Sequence, residues 1–319
     1  MRLAVAFGMW AALVLAVVFL GSWRGYGGRE FGVAMAVFAV LLAGEFFSAA
    51  PTFRDRWVDW LGSRGILLAP LLPLGAFLAY GLNVGLEPRW IFAGCFYTLL
   101  PSLLVIGTRG KPGVGWADFA AVLVLWLPVE FRWAYRLLPY PKELTHTLTI
   151  LFALDVGLAA FLFVRRLEGI GYVVEWGRGF AFQVGLHFLV FAAIAIPLAE
   201  KIGFIRFGPE AQRFHPAPLL VSIVGISVFT AWPEEFLFRG LLQNLIARGT
   251  KNEWVGLAIA SVIFGFSHIL HTPFPNWKYV LLAAIAGFFY GHTWMKTRTI
   301  CASAIVHALV DILWHLLFQ

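Results

Sequence analysis

Charged residues are scarce in this sequence. Asp, Glu, Lys and Arg make up 13% of the 319 residues, whereas they make up about 25% of a typical soluble domain. Hydrophobic residues reach 61%, and a soluble fold of this length has too little interior to bury so much apolar surface. A bilayer removes that requirement, because lipid covers apolar side chains itself. The composition therefore excludes an ordinary soluble enzyme and predicts a membrane protein.

Cysteine is also rare, with only Cys95 and Cys301, and both lie in or beside apolar runs. This excludes a disulfide framework and a cysteine-based zinc motif. The net charge is +7, but the basic residues separate the apolar runs and do not cluster. This distribution predicts contact with anionic lipid headgroups and no nucleic-acid partner.

Apolar runs recur along the whole chain, and a spanning helix needs about 20 residues. The first run follows Met1-Arg2 and lacks a small-residue cleavage site, so we predict a spanning helix there and not a signal peptide. The predicted fold is an all-α polytopic transmembrane helical bundle with about 10–11 spanning helices. The predicted spans are 4–22, 31–50, 66–86, 90–107, 116–131, 147–164, 180–199, 217–247, 253–271, 279–295 and 299–318.

The longest polar break, residues 200–216, predicts a domain boundary. It separates an N-terminal multi-helix membrane region, residues 1–199, from a helical core at residues 217–319. The distribution of Lys and Arg between the two sides of the membrane predicts a cytoplasmic N-terminus. The expected location is the plasma membrane of a prokaryote.

Ionisable residues inside apolar runs are functional candidates, because each costs about 2.5–3.5 kcal/mol at the centre of a spanning helix on insertion scales. In the first two-thirds of the chain each of them stands alone or near a helix end. We predict structural or snorkelling roles for these residues, which are Glu45, Asp118, Glu130, Asp155 and His187.

The last third differs, because three successive apolar helices each carry ionisable groups. Within these helices, Glu235 and Arg239 are four residues apart and are predicted to pair on one face. Glu234 points about 100° away around the helix and has no cation partner there. The full set is Glu234, Glu235, Arg239, His268, His307 and Asp311.

Depth estimates bring these groups into one layer. At 1.5 Å per residue, Glu234 and His268 lie roughly 21 and 24 Å from the turn at residues 248–252. In the third helix, Asp311 and His307 lie roughly 18 and 12 Å from the same membrane face. The sequence therefore predicts that the three helices converge on one site within the bilayer.

Two chemistries fit such a site. A glutamate and a histidine on facing helices can hold and deprotonate one water molecule, while a second histidine stabilises an oxyanion. The same residues could instead bind a divalent metal such as zinc, with Glu234, His268 and His307 as its ligands. The sequence contains no His-Glu-x-x-His motif, the usual helical zinc signature. Spacing alone leaves both chemistries open.

Residues 217–317 resemble the CAAX-protease and bacteriocin-processing (Abi-type) family of intramembrane endopeptidases. Three motifs carry the resemblance, in order and on successive apolar helices. They are Glu234-Glu235-x-x-x-Arg239, Phe264-x-x-x-His268 and His307-x-x-x-Asp311.

The resemblance implies a peptidase in which Glu234 and His268 activate water and Glu235 and Arg239 are supporting residues. It also implies a metal-free mechanism, so no cofactor is expected. The family's eukaryotic substrates are prenylated C-terminal peptides. For this chain we expect membrane-associated peptides, including lipid-modified ones, as substrates, and membrane lipid as surroundings.

The third motif departs from the family pattern. The resemblance implies that His307 and the residue at position 311 stabilise the oxyanion, but that residue is commonly Asn and here is Asp311. An Asn amide donates hydrogen bonds, whereas an ionised Asp does not. Asp311 is therefore protonated, serves to position His307, or acts as a ligand in the metal alternative.

Two other functions stay open from the sequence. One is a non-catalytic binding or bacteriocin-immunity protein with the same fold, which predicts loss of motif residues, yet only position 311 is altered. The other is a proton-coupled transporter, which predicts paired inverted repeats, yet the polar cluster occurs in one half only. Three further histidines match no motif and are predicted to be helix-end or interior residues: His271, His292 and His315.

Overall fold

The computed structural model describes residues 3–318, and nearly all of the regular structure in this range is helical. Its one β feature is an isolated bridge between Phe207 and Phe318. The predicted all-α helical bundle is therefore confirmed. Contacts divide the chain into two compact units, Met1–Glu168 and Gly169–Gln319.

The first unit is organised around its second helix, α2, which packs against α1, α5 and α8. Phe38 and Leu41 of α2 are fully buried, as expected for a helix surrounded by others. The helices are α1 (Leu3–Trp23), α2 (Gly28–Ser48), α3 (Pro51–Leu61), α4 (Gly65–Leu68), α5 (Leu71–Asn83), α6 (Pro88–Val105), α7 (Trp116–Glu130) and α8 (Thr145–Gly157), which continues as a π-helix over Leu158–Val164.

The second unit is organised around α14, which packs against α9, α13 and α15. The predicted boundary at residues 200–216 lies inside this unit, because α9 packs with its later helices. The helices are α9 (Phe180–Lys201), α10 (Pro216–Ile226), α11 (Trp232–Glu235), α12 (Asn244–Thr250), α13 (Glu253–Phe266), α14 (Trp277–Thr297) and α15 (Ile300–Leu317).

Seven helices of the described chain are long and apolar enough to cross a membrane, or eight if one bent pair counts as a single span. This is fewer than the ten or eleven predicted. The predicted run at 66–86 is one reason, because it forms part of that pair, Pro51–Leu68 and Leu71–Asn83, which bends by 53°. The run at 253–271 is another, because α13 has only 14 residues.

The helix that carries the glutamates, Pro216–Thr250, is continuous but not uniformly α-helical. Two π-helical segments, Ser227–Ala231 and Phe236–Gln243, flank the single α-turn of α11. Pro233 within α11 has no N–H group, so a carbonyl in the preceding turn loses its usual donor. Wide π-turns of this kind are frequent at functional sites.

Glycines allow the helices of the second unit to approach closely. A Cβ atom at Gly265 of α13 would lie 2.6 Å from the Val280 carbonyl oxygen of α14. A Cβ atom at Gly287 of α14 would lie 3.1 Å from the Ser261 Cα atom of α13. The two helices therefore touch backbone to backbone, which holds their side chains at fixed separations.

We predict that Gly265→Ala lowers the free energy of unfolding by about 1–3 kcal/mol, because the added methyl group must push α13 away from α14. The measurement is thermal unfolding in detergent micelles. The control is Gly225→Ala in α10, where a Cβ atom would meet nothing within 4 Å. A Gly265→Ala protein as stable as the control would contradict the close approach.

Candidate active site

A buried carboxylate lies at the centre of the site. Glu235 is fully buried, and its Oε1 atom accepts a 2.9 Å hydrogen bond from His307 Nδ1. The same oxygen lies 3.0 Å from Arg239 Nη1, so the predicted pair between positions 235 and 239 is present. One carboxylate therefore binds two cationic or polar partners, one on its own helix and one on α15.

Arg239 is 1% exposed and is held by more than its carboxylate partner. Its Nη2 atom donates a 3.1 Å hydrogen bond to the Gly287 carbonyl oxygen of α14. Its guanidinium carbon lies 4.5 Å from the ring centre of Phe264 and 5.3 Å from that of Tyr290. Aromatic faces stabilise a cation at this range, so the arginine joins three elements.

His307 turns its second nitrogen toward two further carboxyl groups. Its Nε2 atom lies 3.4 Å from Asp311 Oδ2 and 3.9 Å from Glu234 Oε2. Tyr290 stacks on the imidazole, with the ring centres 4.5 Å apart and the planes 17° apart. The ring is therefore fixed in orientation by Glu235 on one side and by the tyrosine face.

His268 follows a helix and does not lie within one. The predicted run at 253–271 ends as a helix at Phe266, and His268 occupies the turn that follows. Pro273 and Pro275 come shortly after this turn and do not support a helix, because proline lacks the backbone donor. The prediction that a spanning helix carries His268 is therefore wrong in this detail.

The tautomer of His268 follows from its hydrogen bond. Its Nδ1 atom lies 2.9 Å from the Phe264 carbonyl oxygen. A carbonyl only accepts, so Nδ1 carries the hydrogen and Nε2 holds the lone pair of the neutral ring. Tyr279 packs against the imidazole with ring centres 4.5 Å apart. This arrangement leaves Nε2 as the atom able to accept a proton.

These groups meet at one cavity of about 240 Å³ in the second unit. Glu234 and Asp311 are each about one-third exposed, whereas Glu235 is closed off behind them. The cavity brings together four predicted residues from three segments of the chain. Its polar and ring-bearing lining comprises Phe191, Thr230, Glu234, Phe264, His268, His271, Tyr279, Tyr290, His307, Asp311, Trp314 and Phe318.

Several of these lining residues were not predicted from the sequence, among them Tyr290, His271 and Tyr279. Tyr290 belongs to an aromatic stretch typical of packing surfaces, and His271 and Tyr279 belong to no motif. Only their spacing in the sequence could have pointed to them. Tyr290 is one helical turn before Trp294 on α14, and His271 is three residues after His268. That spacing does not distinguish a cavity wall from an ordinary interior position.

Ionisable groups outside this cavity have mostly structural partners. Asp118 caps its own helix and pairs with the buried Arg165 at 2.8 Å. His187 Nε2 lies 2.7 Å from His292 Nδ1. His315 contacts the Ser222 hydroxyl at 3.2 Å. These contacts agree with the structural roles predicted for these residues.

The predicted metal alternative requires Glu234, His268 and His307 to converge on one point. Within residues 3–318, no group of three or more His, Cys, Asp or Glu side chains is arranged to hold a metal ion. The set Glu234, His268 and His307 therefore does not have the arrangement of a metal centre in this geometry.

We predict that Glu235→Gln lowers the free energy of unfolding by about 3–5 kcal/mol, because it leaves the buried Arg239 cation without its counter-charge. The matched control is Glu253→Gln, since Glu253 pairs with Arg298 where both side chains are about half exposed. That control is expected to cost about 1 kcal/mol or less. If urea unfolding shows the same loss of unfolding free energy for both variants, the buried pair contributes no more to stability than the exposed one.

Comparison with known families matches residues 216–313 to the family described as Rce1-like, type II CAAX prenyl endopeptidase. Comparisons with curated proteins and with solved structures found no match. The matched range contains all six predicted site residues, and this family is one of proteases. The protein is thus an integral, multi-pass membrane protein whose last third matches the model of the Rce1-like CAAX protease family.

Proposed function

We propose that this protein is an intramembrane endopeptidase that hydrolyses membrane-associated peptides with a water molecule activated by Glu234 and His268. The observation that carries the proposal is the shared cavity, in which these two side chains face His307 and Asp311. In one cavity, a carboxylate can accept a proton from a water molecule while a neutral imidazole orients the same water by hydrogen bonding.

The two adjacent glutamates have different roles in this proposal. Glu235 is closed off and paired with Arg239, so it does not reach a substrate. Glu234 is about one-third exposed at the cavity and is free of the Glu235–Arg239 pair. Glu234 removes a proton from the water, and the resulting hydroxide attacks the peptide carbonyl. The proton then passes to the leaving amine.

His307 stabilises the oxyanion that forms in this attack. Its Nδ1 atom donates to the buried Glu235 carboxylate, which supports the protonated ring and leaves Nε2–H to donate to the oxyanion. Asp311 Oδ2 lies 3.4 Å from that Nε2 atom. Asp311 therefore acts as a positioning residue in the proposal, and the commoner Asn would add a second donor.

The proposed reaction uses no metal or other cofactor. The Glu235 carboxylate orients His307 through Nδ1, and a backbone carbonyl orients His268 in the same way. Each imidazole thus has one nitrogen held by the protein and one directed to the reaction. The groups needed for proton transfer and for oxyanion stabilisation are then all side chains of this chain.

The proposed partners are membrane lipid and a membrane-associated peptide substrate, including lipid-modified peptides. The cavity supports this substrate class, because its lining combines the polar groups with apolar side chains such as Phe191, Ile196 and Leu282. We further propose a location in the plasma membrane of a prokaryote. The Lys and Arg distribution around the predicted spans supports only the orientation in this proposal, a cytoplasmic N-terminus.

We predict that Glu234→Gln lowers kcat/KM by about 10²-fold or more, the usual contribution of a general base. The assay uses purified protein in liposomes and a library of lipid-anchored fluorogenic peptides. Glu253→Gln, on the exposed start of α13, is the control and is expected to keep wild-type activity. Undiminished cleavage by Glu234→Gln would overturn the proposal, as would a wild-type protein that cleaves no peptide of the library.

We further predict that peptidase activity persists after dialysis against 1,10-phenanthroline, because the proposed steps use side chains alone. The measurement is the initial cleavage rate before and after treatment, with the metal content determined on the same sample. Loss of activity that added zinc restores would contradict the metal-free mechanism but not the peptidase function.

A further inference from the structure

The first unit contains a buried carboxyl group that the proposed peptidase does not use. Asp155 of α8 is 5% exposed, and its Oδ2 atom is buried without a hydrogen-bond partner in the described chain. Asp118 of the same unit is as deeply buried, but it is paired with Arg165. Asp155 therefore does not share the structural role that the sequence indicated for both.

The Asp155 carboxylate lies directly against the backbone of α2. A Cβ atom at Gly44 would overlap all three atoms of this carboxyl group. The next residue, Glu45, is 4% exposed and lies close enough to interact electrostatically with Asp155. Two carboxyl groups thus share one small region at the α2–α8 contact, and a glycine makes room for them.

Asp155 faces an apolar cavity of about 330 Å³ in the first unit. Phe47, Phe53 and Trp57 form one aromatic wall, with successive ring centres 5.3 and 5.8 Å apart. Among the described residues that line this cavity there is no Lys, Arg or His. The cavity therefore presents an acceptor and aromatic faces to its contents, but no cation of its own.

We propose that this cavity binds a lipophilic amine, with its ammonium group donating to Asp155 Oδ2 and its apolar body against the aromatic wall. The unpartnered oxygen supplies the acceptor that an N–H donor needs. Aromatic rings attract cations electrostatically, so the wall formed by Phe47, Phe53 and Trp57 favours a positively charged ligand. The volume falls within the range of small-molecule sites, roughly 300–1,000 Å³.

The charge of the ligand follows from the same features. A neutral alcohol would satisfy the Oδ2 atom, but it would place no positive charge beside the two carboxyl groups. An anionic ligand would bring no hydrogen-bond donor to Oδ2, and it would lose its hydration in an apolar cavity whose described lining has no cation, which is costly. A protonated amine meets both requirements, because it donates a hydrogen bond to Oδ2 and brings a positive charge into the cavity. This site is separate from the peptidase residues and does not depend on the proposed function.

The test compares radiolabelled 4-phenylbutylamine with 4-phenylbutanol in saturation binding to the full-length protein in lipid nanodiscs. The two probes share the same apolar body and differ in the charged group. We expect saturable binding of one amine per chain, at least tenfold tighter than binding of the alcohol. Empty nanodiscs measure partition into lipid. Equal binding of the two probes would overturn the proposal without the need for any variant.

Variants locate the site. Asp155→Asn keeps the size of the side chain but not its charge, and it is expected to weaken amine binding at least tenfold. The matched control is Asp59→Asn on α3, an exposed position that does not line the cavity, which is expected to change nothing. A folded Asp155→Asn protein that binds the amine as tightly as the wild type would also overturn the proposal. Peptide cleavage is not measured here, so failure leaves the peptidase proposal untouched.

Discussion

The packing of helices in the second unit depends on the stabilisation of one carboxylate that has no access to water. A fully buried Glu235 would carry a large desolvation cost if it stood alone, and Arg239 and His307 compensate for that cost. The arginine is anchored in turn to the backbone of α14, and the histidine belongs to α15. A single charge therefore ties the helix that carries the glutamates to α14 and α15. Ala231, Ala304 and Ala308 pack together nearby, and their small side chains allow this close contact.

The same carboxylate determines what the neighbouring groups can do. Because Glu235 holds Nδ1 of His307, the Nε2 atom faces the cavity with Asp311 and Glu234 around it. Two glutamates adjacent in sequence thus divide into one inner group that organises and one outer group that meets the cavity. The π-helical segments on either side of α11 widen the helix at this point. A polar site inside a membrane protein is thereby built from a rigid inner layer and an accessible outer layer.

Much of this arrangement follows from sequence spacing, and some of it does not. Hydropathy predicts the helices, and pairs four residues apart predict the contacts of Glu235 with Arg239 and of His307 with Asp311, because local helix geometry determines both. The hydrogen bond between Glu235 and His307 joins two residues that are 72 positions apart on different helices. Sequence spacing contains no information on how those two helices are rotated against each other. The end of α13 before His268 depends on the prolines beyond it. The sequence does not distinguish Asp155, whose Oδ2 atom has no hydrogen-bond partner, from the paired Asp118, because only packing separates the two.

In one contact of the site, a side chain binds the main chain of a residue that has no side chain of its own. Arg239 binds the main-chain oxygen of Gly287, a position where a Cβ atom would already press on Phe264 and Ser261. A glycine there contributes to the chemistry through its peptide group and through the space it leaves. Evolution can therefore change the chemistry of this site by enlarging a residue that carries no functional group. A signature written only in ionisable residues omits this glycine, although the position of Arg239 depends on it.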